Sequence, residues 1–190
     1  MKAEEKIYET YLNSRTPKLY FNQLKKLTSL SNSSLQNILN RLVKDKILSV
    51  DKGTSNTFYQ IKNKKRFSLE FSKVALNLFS NLNFGIQVPL TNFLKEVPKD
   101  IFAIVLFGSA SKNEQKKGSD IDLLVVHYNK TNLEKIKREI NNISNYPLSI
   151  FECSIDQFYK NQDPIIIQAR KTGFPIFKEQ NFYEVILNEY

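Results

Sequence analysis

One cysteine, Cys153, stands in 190 residues, so an internal disulfide and a cysteine-based zinc site are both excluded. Histidine is as scarce: His127 has no second His or Cys at ligand spacing, and is read as a strand residue rather than a ligand. No apolar run approaches the roughly 20 residues that a membrane-spanning helix needs. The opening "MKAEEKIYET" lacks the apolar core of a secretory signal, and there are no repeats and no low-complexity tract. These absences leave an expectation of a cytoplasmic protein with no membrane partner. Hydrophobic residues make up 41% and charged residues 25%, enough for one large domain or two small ones.

What is abundant is positive charge, and it is unevenly placed. The net charge is +9; residues 1–64 hold 12 Lys/Arg against 5 Asp/Glu, whereas residues 65–190 hold 16 against 14. A basic excess of this kind suits nucleic acid, and a solvated basic face is the plainer alternative.

Residues 21–63 read as helix, turn, helix and hairpin. Leu35, Ile38, Leu39, Leu42 and Val43 fall on one helical stripe, with Ser31 as the expected N-cap. The other face carries Ser33, Ser34, Gln36, Asn37, Asn40, Arg41 and Lys44. "ILSV" and "TFYQI" read as two strands joined by "DKGTSN", with Lys52 near the turn. This pattern resembles the winged helix-turn-helix domains of prokaryotic regulators. The resemblance implies DNA binding: the amides and hydroxyls of residues 32–45, with Arg41 and Lys44, would meet base edges and phosphates, and Lys52 would sit in the wing. A homodimer reading paired half-sites would follow. Dimerisation or docking of another protein is the alternative use of the same face.

A basic linker, "KNKKRF", leads to a helix over "SLEFSKVALNLFSNL", and the domain boundary is expected there, giving domains 1–64 and 65–190. "PLTNFLKEVP" reads as another helix. From residue 101 strands and helices alternate: "IFAIVLF", a short helix over "SASKNEQK", the strand "IDLLVVHY", a helix over "TNLEKIKREINNI", and the strand "PLSIFECS". A helix, a glycine turn, a short strand and a terminal helix close the chain. The expected class is α+β with a small mixed sheet in the second domain. Cys153 and most aromatic residues, Phe58 and Tyr59 in the hairpin among them, are expected to pack rather than react.

The chemistry lies in "IVLFGSASKNEQKKGSDIDLLVV". Asp120 and Asp122 are two apart at the mouth of a strand and project from one face. Two carboxylates this close repel one another, and a hard divalent cation such as Mg²⁺ or Mn²⁺ resolves the conflict. Gly108 permits close approach of the backbone to a phosphate. The amides of the following turn, the Ser109 hydroxyl and Lys112 would supply an anion seat.

Gly108-Ser109, ten residues and then Asp120-Ile121-Asp122 resembles the signature of the DNA polymerase β-like nucleotidyltransferases, in particular the minimal nucleotidyltransferases; the likeness spans about residues 95–160. The resemblance implies that Gly108 and Ser109 hold the β- and γ-phosphates and that Asp120 and Asp122 bind two metal ions. A third acid from a neighbouring strand would complete a catalytic metal site, and Glu152 is the candidate. Lys112 stands where the family often has Arg, and Asn113 where it often has glycine. The implied activity is transfer of a nucleoside monophosphate, AMP from ATP above all, onto a protein or nucleic-acid hydroxyl, the acceptor of some members being a partner toxin. The alternative is a DNA-binding regulator, or an antitoxin, whose nucleotidyltransferase domain only binds or senses nucleotide.

Overall fold

The computed structural model describes residues 2–116 and 118–190. They form two compact units, one running up to Val74 and including Tyr183–Tyr190, the other spanning Ala75–Phe182.

In the first unit the chain runs α1 (Ala3–Ser14), β1 (Lys18–Tyr20), α2 (Phe21–Thr28), α3 (Asn32–Lys44), β2 (Leu48–Lys52), β3 (Thr57–Ile61) and the beginning of α4 (Lys64–Ser80). The apolar spacing of α3 buries Leu35, Ile38, Leu39 and Leu42 along one side. Ser31 caps it, its hydroxyl accepting the Ser34 N–H at 3.3 Å. The hairpin closes through the Gly53 N–H donating to the Asn56 carbonyl at 3.0 Å. β1 joins the far side of β3, giving an antiparallel sheet in the order β1-β3-β2.

Phe67 is fully buried at the centre of this unit. It meets Tyr8 at 4.9 Å, Tyr11 at 5.3 Å and Phe71 at 5.6 Å between ring centroids, all edge to face. Such pairs stabilise by about 0.5–1.5 kcal/mol each beyond the area they bury. The Tyr11 hydroxyl donates to the Tyr59 carbonyl at 2.8 Å inside this core. Burial opposes its ionisation and raises its pKa.

Four of the six residues of the expected linker "KNKKRF", from Lys64 on, form instead the first turn of α4. Asn63 Oδ1 accepts the Arg66 N–H at 2.9 Å, and Arg66 pairs with the buried Glu70 one turn on at 2.7 Å. A cap and an i,i+4 pair thus extend a helix into a stretch that charge alone marked as a connector. The two compact units divide within α4, between Val74 and Ala75.

The second unit contains α5 (Phe84–Glu96), β4 (Ile101–Phe107), β5 (Ile121–His127), α6 (Glu134–Asn141), β6 (Leu148–Ser154), α7 (Ile155–Lys160), α8 (Pro164–Thr172), β7 (Phe174–Phe177) and the start of α9 (Glu179–Asn188). α5 begins five residues before the proline at which it was expected. The Asn83 side chain caps it by accepting the Ile86 N–H at 3.2 Å, and Pro89 lies inside the helix. The sheet order is β6-β5-β4-β7, with β5 and β6 parallel and the other pairs antiparallel. Every residue of β4 is buried, and so is β5 apart from Asp122. These two central strands form the rigid floor on which the polar residues at their ends are carried.

Candidate functional site

β4 and β5 run antiparallel with Phe107 opposite Asp122. The end of one strand and the mouth of the other therefore lie side by side, which brings the Gly-Ser turn to the aspartates. Ile121 N–H donates to the Pro147 carbonyl at 2.8 Å, holding the start of β5 against that of β6.

Gly108 has φ +70, and a Cβ built on it would lie 2.3 Å from Asp122 Oδ2. The carboxylate thus occupies the space that any other residue at 108 would fill. This, with the positive φ, is the physical reason for glycine there. Beyond it the chain makes one 3-10 turn, Ala110–Lys112, in place of the helix expected over residues 109–116. Ser111 Oγ donates to the Gly108 carbonyl at 2.8 Å, and the N–H groups of Lys112 and Glu114 both donate to the Ser109 carbonyl, at 3.1 and 3.0 Å. Asn113, left-handed at φ 57, stops the turn from continuing as a helix. Ser109 is half-buried and Lys112 exposed.

Asp120 is exposed and Asp122 half-buried. Burial raises the pKa of Asp122 above the ordinary aspartate range, and the charge of Asp120 raises it further. Two carboxylates, one desolvated and repelled by the other, form a donor set suited to a hard cation, which relieves both penalties. Asp120 and Asp122 are the residues that would hold it.

Glu152 does not join them. In the parallel β5–β6 pairing Asp122 is level with Ser149, Leu124 with Phe151 and Val125 with Glu152. Partners in register share a face, so the β6 residues on the Asp122 side are Ser149, Phe151 and Cys153, and Glu152 faces the other way. Its carboxylate lies 3.9 Å from Nε2 of His127, which belongs to that opposite face. The expected third ligand and catalytic acid is therefore corrected: the strand register turns it from the site. Among the described residues, no group of three or more His, Cys, Asp or Glu is placed to hold a metal. Asp122 stands between Ser149 of β6 and Phe107 of β4, and the Phe107 and Phe151 rings lie 5.9 Å apart at 53°. Cys153 is buried as expected, its thiol pushed up to about 12 by desolvation first and by Asp163 second.

The residues expected at a DNA interface lie on the outer side of α3 and on the hairpin. Ser33, Gln36, Asn37, Asn40, Arg41, Lys44 and Lys52 are exposed, while Ser34 is half-buried with its amide bound to the Ser31 cap. Gln36 Nε2 donates to Asn40 Oδ1 at 2.9 Å. Arg41 is engaged by Glu4 of α1, a contact the helical pattern did not announce.

Residues 90–172 match the family described as the nucleotidyltransferase domain. A Methanocaldococcus jannaschii protein named "putative protein adenylyltransferase" is 37% identical over 68 residues, which cover 36% of this chain and 64% of that protein. The chain thus spans less than two thirds of the length of that relative. No solved structure is a significant match. The mixed sheet of the second unit agrees with the nucleotidyltransferase domain.

Proposed function

We propose that the protein transfers a nucleoside monophosphate, AMP from ATP, to a hydroxyl of a protein or nucleic acid. The observation that supports this reading is the seating of the Asp122 carboxylate against Gly108, with Asp120 near enough for its charge to raise the Asp122 pKa. The acceptor oxygen would form a bond to the α-phosphorus as the bond to pyrophosphate breaks, and the hydroxyl proton would leave. Gly108 and Ser109 would face the β- and γ-phosphates, with Lys112 adding positive charge. Asp120 and Asp122 would hold the divalent cation, Mg²⁺ or Mn²⁺. Such an ion supplies charge neutralisation at the phosphates when bound. No carboxylate of β6 lies on the Asp122 face, so the acceptor's proton would pass to solvent or to a group that the acceptor brings.

The first unit, read as a winged helix-turn-helix, would present the outer face of α3 and the hairpin to DNA. The absence of a carboxylate on the Asp122 face of β6 favours a second reading, in which the domain binds nucleotide and reports it to that DNA-binding unit.

Incubation with labelled nucleoside triphosphates, Mg²⁺ and cell lysate separates the two. The first reading expects label transfer that is lost when Asp120→Asn and Asp122→Asn are combined, and that survives Glu152→Gln. Equal labelling by wild type and the double variant would exclude catalysis at these aspartates. Nucleotide binding without labelling would favour the sensor.

A further inference from the structure

Asn113 reaches out of the turn it terminates. Its N–H donates to the Ala110 carbonyl at 3.3 Å, and its side-chain amide bonds in two directions. Oδ1 accepts the Asn83 N–H at 3.0 Å, and Nδ2 donates to the Asn81 carbonyl at 3.1 Å. The amide's polarity fits both partners at once, acceptor to N–H and donor to carbonyl. Residues 81–83 form the corner between α4 and α5, and Asn83 is itself the cap of α5. One side chain thus bridges the turn after Gly108 to a corner 30 residues upstream.

A chain that needed only a left-handed residue at 113 would be served better by glycine, which takes φ 57 without steric cost. Asparagine tolerates this conformation and adds two hydrogen bonds that glycine cannot make. Both bonds lie outside the turn, so they restrain where it sits rather than how it folds.

We propose that Asn113 is a positioning residue of the nucleotide site, clamping the Gly108–Lys112 turn to the α4–α5 corner so that it is already seated beside Asp122 when a triphosphate arrives. This rests on reading the turn as the triphosphate seat. The clamp acts through the backbone of the turn and touches no reacting atom. Without it, nucleotide binding must also order the turn, and that cost appears as lost affinity.

The test is calorimetric titration of the full chain with ATP and Mg²⁺, for wild type, Asn113→Gly and Asn113→Asp. Asn113→Gly keeps the left-handed backbone and removes both bonds. It is expected to bind about tenfold more weakly, to keep its melting temperature, and to lose hydrogen-exchange protection at the Asn83 amide. Asn113→Asp retains an acceptor for that amide but sets a carboxylate oxygen against the Asn81 carbonyl and a negative charge near the triphosphate, so its affinity should fall below that of wild type; it carries the test should the glycine variant not fold. Wild-type affinity in Asn113→Gly overturns the clamp, as does a loss of binding that merely follows a loss of thermal stability. A wild-type chain that binds none of the four ribonucleoside triphosphates removes the nucleotide reading itself, and the proposal with it.

Discussion

Replacing Gly108 by alanine sets a new Cβ against Asp122, and Gly118 provides an internal control. Both glycines have positive φ, +70 and +85, but a Cβ at Gly118 meets nothing within 4 Å. Gly118→Ala therefore measures the backbone term alone, about 1–2 kcal/mol for an L-residue held left-handed. For a unit of this size that lowers the melting temperature by roughly 5–10 °C. Gly108→Ala carries the same term and a second one. Its Cβ would sit 2.3 Å from Asp122 Oδ2, against 3.4 Å or more for ordinary contact, so the carboxylate must retreat by about 1 Å. Misplacement on that scale costs catalytic or binding sites about a hundredfold. Thermal melts should therefore show both variants destabilised. Calorimetric titration with ATP and Mg²⁺ should show Gly118→Ala binding like wild type and Gly108→Ala weakened by about two orders of magnitude. If the two variants bind nucleotide equally, the close seating of Asp122 against the turn is irrelevant to binding and the reasoning fails.

Two further outcomes follow from the same geometry. Asp122 has a raised pKa in the folded protein, so the stability of its protonated form is fully present below the unfolded-state pKa and is lost as pH rises through the folded one. In chelator, Asp122→Asn should melt no lower than wild type at neutral pH, with the gap closing as pH falls through the carboxylate range; a variant less stable at every pH contradicts this. Glu4 occupies Arg41, so Glu4→Gln should strengthen binding of a labelled duplex and steepen the log affinity against log salt plot by about one phosphate contact. Glu9→Gln removes the same charge elsewhere on α1 and should leave the slope unchanged; equal slopes for the two variants would show that Arg41 makes no contact with DNA.

Much of this architecture was legible in the residues because the signals are local. β4, β5 and β6 are apolar runs bounded by turn formers, and α3 declares itself by its stripe and its Ser31 cap. The juxtaposition of Gly108 with Asp122 follows from their places at adjoining ends of neighbouring strands. α7 was missed because six residues are too few to show a helical period. Its signal was the reciprocal cap, the Ser154 hydroxyl accepting the Gln157 N–H at 3.2 Å and Gln157 Oε1 accepting the Ser154 N–H at 2.8 Å. The role of Glu152 was not legible, because strand register is set at a distance. Asn141 Oδ1 accepts the Leu148 N–H at 2.7 Å and anchors β6 where it enters the sheet. Nothing in "SIFECS" itself records that alignment. Arg41's engagement with Glu4, 37 residues away, is hidden from a helical wheel for the same reason.

The register of β6 also makes the site's chemistry a matter of chain length. β6 is an edge strand with β5 as its one neighbour in the sheet. Glu152 is one position beyond Phe151, which lies on the Asp122 face. Removing a single residue from the connection after α6, with the rest of β6 drawn back by one step, would carry that carboxylate across the sheet and take the phenyl ring away. A three-acid centre and a two-acid centre are thus neighbouring spellings of one fold, separated by an indel rather than by a new residue type.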